Sequence, residues 1–254
     1  MPEIDFNSDM GESFGLYRLG DDAAMLRHVT SANIACGFHA GDAQTMAATV
    51  RAATALGVSL GAHPGYPDLQ GFGRRAMQLG HDEIYNITVC QVGAMQAFAA
   101  AAGSRLAHVK PHGALYNQAA RDATMARALC EAVPDVDPAL VFYGLAGSAL
   151  VTAAREAGLA VAQEVFADRT YQDDGSLTPR SHPAAMITDA EASIAQVLRM
   201  VRDGVVRSLG GVDVPVRADT LCIHGDQPGA AGFAHRIRAA LEAEGITVRA
   251  PQSQ

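Results

Sequence analysis

Five histidines, seven acidic residues and one lysine sit where short apolar stretches of this chain run into glycine-rich turns. The stretches are Asp5-Phe6-Asn7-Ser8-Asp9-Met10-Gly11-Glu12, Asn33 through His39 to Asp42, Gly61-Ala62-His63-Pro64, His108-Val109-Lys110-Pro111-His112-Gly113, Tyr143-Gly144, Glu164 through Asp168 to Arg169, and Cys222-Ile223-His224-Gly225-Asp226. Side chains alternate faces along a strand. Asp5, Asn7 and Asp9 therefore share one face, His108, Lys110 and His112 another, and Cys222, His224 and Asp226 a third. Charge on one face of so many buried strands is costly unless those faces meet in a wet or functional pocket. The carboxyl ends of parallel strands in a βα barrel provide such a meeting place, so the pattern predicts an enzyme active site. The individual residues admit plainer readings. His28, His81 and His235 fall on helices or their starts and read as surface residues. His108, deeper in its strand, reads as structural, Asp42 as the N-cap of a following helix, and Cys36 and Cys222 as small apolar packing.

Elements that could position such a site recur along the chain. Gly57, Gly103, Gly158 and Gly245 each stand where an Ala-rich helix stops, able to take the left-handed C′ conformation, with a strand following at once. Repeated short αβ connections indicate alternating βα units and a parallel sheet. The periodicity predicts strands near 3–7, 32–36, 58–62, 106–110, 139–144, 160–166 and 219–224, with a short one at 246–250. It predicts helices near 21–28, 43–56, 82–102, 118–132, 147–157, 189–203 and 230–244. Thr188 and Glu191 make a capping-box pattern for the helix ending at Gly204. No Pro/Ser linker divides the sequence, so residues 1–254 read as one α/β domain. Two connections are longer than packing requires. Gly65 to Gly80 carries Arg74 and Arg75, and Ala167 to Ala185 carries Asp168, Arg169, Arg180 and His182; long βα loops are where binding groups and lids sit. Ser208 to Asp219 reads as a surface excursion.

At 254 residues and 49% hydrophobic content the chain fits one barrel. Its 19 Lys and Arg against 27 Asp and Glu give a formal charge of −8, with no basic stripe, which argues against nucleic acid or an anionic membrane as partner. The strand-like start at Glu3 leads us to expect no signal peptide, and four cysteines without C-x-x-C spacing suit a reduced cytoplasmic protein. P-loop, dinucleotide-binding, nucleophile-elbow and H-E-x-x-H motifs are absent. A divalent metal held by Asp9, His39, His63 or His112 stays open as an alternative.

Those same segments, with Gly61 to Asp68, Gly71-Phe72-Gly73-Arg74-Arg75, Val109 to Tyr116 and Glu164 to Tyr171, closely resemble the LamB/YcsF family over essentially the whole chain. The resemblance implies a distorted, about seven-stranded parallel βα barrel of the glycoside hydrolase/deacetylase type. It also implies the A subunit of a 5-oxoprolinase, opening 5-oxo-L-proline to L-glutamate with ATP as co-substrate alongside subunits B and C. A five-membered lactam is a poor electrophile, and phosphorylating its amide oxygen would expose the carbon to water. Residue chemistry then suggests Asp9 or His112 as base and His39 or His63 as donor to the ring nitrogen. Lys110, Arg74, Arg75 and Arg169 are the anion binders on offer. Asn7, Glu12, Asp42, Glu164, Asp168, His224 and Asp226 complete the substrate-contact candidates. Two rivals share the pocket: a metal-dependent deacetylase or amidohydrolase, and a non-catalytic metabolite-binding subunit that gates its partners.

Overall fold

The computed structural model describes residues 2–225 and 229–251, so Asp226 lies outside the described residues. Along the chain run β1 (Glu3–Met10), α1 (Asp22–Met25), β2 (Ser31–Ala35), α2 (Ala43–Ala55), β3 (Ser59–His63) and α3 (His81–Ala101). Then follow β4 (Leu106–Val109), α4 (Gly113–Ala119), α5 (Ala123–Val136), β5 (Val141–Leu145), α6 (Ala149–Glu156) and β6 (Ala160–Phe166). The order continues with α7 (Ala190–Asp203), β7 (Val205–Arg207), β8 (Asp213–Pro215), β9 (Thr220–His224), α8 (Ala230–Ala243) and β10 (Thr247–Val248). Seven parallel strands, β1-β2-β3-β4-β5-β6-β9, close into a barrel where β9 pairs back onto β1 from Asp5↔Thr220 to Asp9↔His224. β10 pairs only with Glu3 and Ile4, below the point where β9 takes over.

The predicted glycine stops hold. Gly57, Gly103, Gly158, Gly204 and Gly245 all have positive φ, between 66° and 78°, which glycine adopts without the Cβ penalty. Three local expectations change. The helix expected at 118–132 is two: α4 starts directly behind His112, and α5 is capped by the Asp122 side chain, which accepts from Thr124 and Met125 N–H. Asp189, not Thr188, caps α7, accepting from Ala192 N–H; a carboxylate one residue nearer the helix satisfies the free amide more directly than the threonine. The excursion at 208–219 contains half of a β7–β8 hairpin, with Asp213 held by Arg199 and Arg207.

The large apolar core fills the space between the barrel and its helices, where Phe6, Ile34, Leu60, Val109, Phe142, Val165 and Leu221 are buried. The barrel interior, by contrast, is polar and hydrogen-bonded in layers. At its floor Asp5 accepts from Thr30 and Ser31 at 2.7 Å each and from Thr220 at 2.6 Å. In the next layer Asn7 donates to Glu164 and Thr220, Asn33 donates to Asn7 and Asp9, and the His108 ring donates to Asn33 at 2.7 Å. His108 also stacks on Tyr143, and Gly61 makes room for it: a Cβ there would stand 2.0 Å from its Nε2. Burial and the charge of Lys110 push the His108 pKa down to about 3. It is a neutral structural part, as its depth in the strand predicted. Each buried polar group satisfied this way avoids a desolvation cost of about 1–3 kcal/mol, while His108 Nδ1 in this layer has no hydrogen-bond partner among the described residues.

Candidate active site

The upper layer sits at the carboxyl ends of the strands. Asp9, His63, Lys110, His112 and His224 line one cavity of about 30 Å³ with Arg74, Tyr116, Phe166, Arg169 and Arg180. A larger space of about 540 Å³ adjoins it, sharing Arg74, Gly113, Asn117, Arg169, Leu177 and Arg180 with it. The inner cavity has room for about one water, and the outer one is large enough for a small metabolite.

Lys110 is the hub. Its Nζ lies 2.8 Å from Asp9, 2.9 Å from Glu164 and 3.0 Å from Cys222 Sγ, with only 3% of the side chain exposed. Burial alone would lower its pKa, but the carboxylates of Asp9 and Glu164 outweigh burial and raise it well above the usual lysine value. Burial likewise pushes Asp9 up, and His63 and Lys110 reverse that, holding it well below the usual carboxylate range. The pair is therefore ammonium and carboxylate. Cys222 packs against this ammonium rather than serving as plain apolar filler, and burial raises its thiol far above the ordinary range. Tyr116, one turn into α4, donates to the second Glu164 oxygen at 2.7 Å.

Two histidines face each other beside this pair. His63 Nδ1 donates to the Lys110 carbonyl at 2.7 Å, and His112 Nε2 donates to the Phe72 carbonyl at 2.8 Å. Their other nitrogens, His63 Nε2 and His112 Nδ1, stand 3.0 Å apart. His39 stacks on His112 with ring centroids 3.7 Å apart, and Glu12 Oε1 lies 3.6 Å from His39 and 3.8 Å from His112. Burial first, then neighbouring histidines, push His39 and His112 well below the usual pKa. Of the metal candidates left open by the sequence, the three histidines group with Glu12, and Asp9 Oδ2 stands 3.3 Å from His63 Nε2. Glu12, His39, His63 and His112 present ligand atoms within 4.8 Å of one another, whereas Asp9 groups with Cys222 and His224. The second group already has the Lys110 ammonium against two of its members.

On the opposite wall Asp168 accepts from His224 Nδ1 at 2.8 Å, and His224 Nε2 accepts from Arg180 at 2.9 Å. An imidazole held this way has its tautomer fixed and a lone pair toward the cavity, the arrangement of an oriented general base. Arg169 is buried, donating to Ala185 and Thr178 carbonyls, and burial beside Arg180 pulls its pKa down to about 10. Asn7 and Glu164 lie one layer below the cavity. Two candidates lie apart from it. Asp42 caps α2 and holds the Gly15 N–H, and Arg75, its side chain 66% exposed, pairs with Asp68. Sequence reasoning did not single out Tyr116 or Phe72, nor pair Asp168 with His224. Tyr116 follows His112 by four residues, one helical turn, and that spacing was a usable signal.

The LamB/YcsF family profile matches residues 4–254. The chain belongs to the LamB/YcsF family. Among its relatives, the 5-oxoprolinase A subunit of Bordetella pertussis (strain Tohama I) is 65% identical over 249 residues, covering 98% of this chain and 99% of the relative. The crystal structure of a lactam utilization protein from Thermus thermophilus is 48% identical, with TM-score 0.92 over 98% of this chain and 100% of that one. A putative cellobiose-phosphate cleavage protein from Enterococcus faecalis, at 14% identity, shares the barrel with TM-score 0.57 over 97% and 96%. Among the described residues of this LamB/YcsF member no helix is long and apolar enough to cross a membrane.

Proposed function

We propose that this protein is the A subunit of an ATP-dependent 5-oxoprolinase, opening 5-oxo-L-proline to L-glutamate in the cytoplasm together with B and C subunits. The observation that carries the reading is the 65% identity, nearly end to end, to a protein named as the A subunit of 5-oxoprolinase, and the site's chemistry agrees with it. In the net reaction lactam, ATP and two waters become glutamate, ADP and phosphate. Phosphorylation of the amide oxygen lets water add to the ring carbon. The C–N bond then breaks as the ring nitrogen takes a proton, leaving an acyl phosphate that a second water hydrolyses.

His224, oriented by Asp168, takes the proton of the attacking water and returns it to the ring nitrogen. Arg180 occupies its Nε2 at 2.9 Å, so a substrate carboxylate that draws Arg180 away frees the base as it binds. Arg74, Arg169 and Arg180 supply the positive charge for carboxylate and phosphate. Lys110 acts through its charge on the developing oxyanion, since Asp9 and Glu164 already accept its protons. Asp9 is thereby an anchor for Lys110 rather than the base. His63 and His112 wall the cavity, and His39 stands behind them.

The test is reconstitution. This protein together with its B and C partners should form glutamate from 5-oxoproline only with ATP. On its own the protein, which has no P-loop sequence, should neither hydrolyse ATP nor open the ring. Full activity of the isolated protein, or of the B and C partners without it, overturns the reading. A second reading, a metal-dependent amide hydrolase, is favoured by the Glu12–His39–His63–His112 grouping; it predicts ring opening without ATP.

A further inference from the structure

We infer that Glu12, His39, His63 and His112 form a binding site for one divalent transition-metal ion of the zinc class. Three independent features of the geometry lead there, and none depends on the proposed reaction.

The first is a conflict of lone pairs. The carbonyls of Lys110 and Phe72 only accept, so they fix the protons of His63 on Nδ1 and of His112 on Nε2. In neutral rings the two nitrogens left over, 3.0 Å apart, both present lone pairs to each other. A cation between them removes the repulsion. Two nitrogens each ~2.0–2.1 Å from one zinc-class ion stand about 2.8–3.4 Å apart at bond angles between right-angled and tetrahedral, and the observed separation falls in that range. Each outer nitrogen then donates to a carbonyl, as the far nitrogen of a metal-bound histidine commonly does.

The second is His39. It is fully buried, and neither ring nitrogen has a hydrogen bond among the described residues. A buried polar group so placed costs free energy unless something else satisfies it. A proton shared by His63 and His112, balanced by Asp9 Oδ2 at 3.3 Å from His63 Nε2, would settle their conflict and leave both His39 nitrogens unsatisfied; a metal at the cluster settles the conflict and takes one nitrogen of His39.

The third is the backbone around the cluster. A Cβ at Gly65 or Gly73 would stand 2.6 Å and 2.7 Å from His39 atoms, and between Gly71 and Gly73 Phe72 holds φ +54° while its carbonyl orients His112. Strain of this kind in a non-glycine residue is maintained only where the surroundings require it. Three imidazoles and one carboxylate are a donor set for zinc, cobalt or manganese rather than for calcium or magnesium. His63 and His112 line the cavity, so the cluster borders it. A metal there would supply Lewis-acid polarisation of a carbonyl or an acidified water.

The measurement is metal binding to the chelator-stripped full-length protein, independent of turnover. Titration with cobalt(II) should give one equivalent with visible ligand-field absorption, displaced stoichiometrically by zinc(II). His39→Ala and Glu12→Gln should each weaken binding by at least ~100-fold, the upper end of the effect of losing an outer-shell partner, while His235→Ala on the surface changes nothing. Melting curves establish that each variant is folded; if His39→Ala is not, Glu12→Gln and wild-type stoichiometry decide. Absence of stoichiometric binding at micromolar metal overturns the inference, and so does binding that both variants leave intact.

Discussion

Replacing Lys110 by methionine isolates the interaction on which the upper layer of the barrel rests. The ammonium is buried between Asp9 at 2.8 Å and Glu164 at 2.9 Å, and methionine keeps most of its volume while removing the charge. Breaking a buried pair by removing one partner costs about 3–5 kcal/mol, because the other partner is left as an uncompensated buried charge. For a domain of this size each kcal/mol lowers Tm by roughly 2–4 °C, so the melt should fall by roughly 6–20 °C. The pH dependence carries the sharper test. In the native protein Asp9 is held below its ordinary pKa, so it contributes stability that is present above the ordinary carboxylate range. That contribution is lost only as pH falls through the depressed value, and between pH 5 and 8 it is constant. In Lys110→Met the lowering by His63 remains while that by Lys110 is lost, so burial lifts the Asp9 pKa above its native position. The stability that Asp9 contributes should then be lost at a higher pH in the variant than in the native protein as pH falls from 8 toward 3. Urea unfolding of both proteins across that range measures it. A loss below about 1 kcal/mol, or a variant whose stability changes with pH as the native protein's does, refutes the account of Lys110 as hub.

Two further substitutions test other layers. His224→Gln should lower ATP-dependent glutamate formation by the assembled complex by about 10²–10⁴-fold with little change in Tm, and Asp168→Asn should lower kcat in the same direction; unchanged kcat in both removes His224 as the base. Gly61→Ala, whose new Cβ would stand within 2.4 Å of three His108 ring atoms, should destabilise the protein by at least about 1–3 kcal/mol, read by urea unfolding, and a neutral result would show that His108 can move aside.

Much of the barrel was legible because its signals are local. An αL glycine after a helix and an apolar run before a polar cluster each depend on a few neighbouring residues, and Gly57, Gly103, Gly158 and Gly245 all behave as their neighbours predict. The rise of polar residues toward the strand ends was legible too, since alternation places Asp9, Lys110 and His224 on the interior face. What escaped was pairing across the barrel. Asp168 and His224 are 56 residues apart, and no local pattern distinguishes a base-orienting carboxylate from a solvent-facing one. The same limit hid Cys222 against Lys110, 112 residues away.

The grouping of Glu12 with the three histidines shows where alternation stops being a guide. The rule holds while the backbone is a strand, and β1 ends at Met10. Gly11 then takes φ +68°, packed so closely that a Cβ would meet Ile34 at 3.0 Å. That turn carries Glu12 out of the strand's register and over His39 and His112. Asp9, still inside the strand, points into the barrel, where its two oxygens meet Lys110 Nζ at 2.8 Å and His63 Nε2 at 3.3 Å. Two carboxylates three residues apart thus serve different partners: one neutralises a lysine inside the barrel, the other faces the imidazoles of His39 and His112 at its mouth. Substituting Gly11 should therefore disturb the histidine cluster more than the Asp9–Lys110 pair, because only Glu12 depends on the left-handed turn for its position.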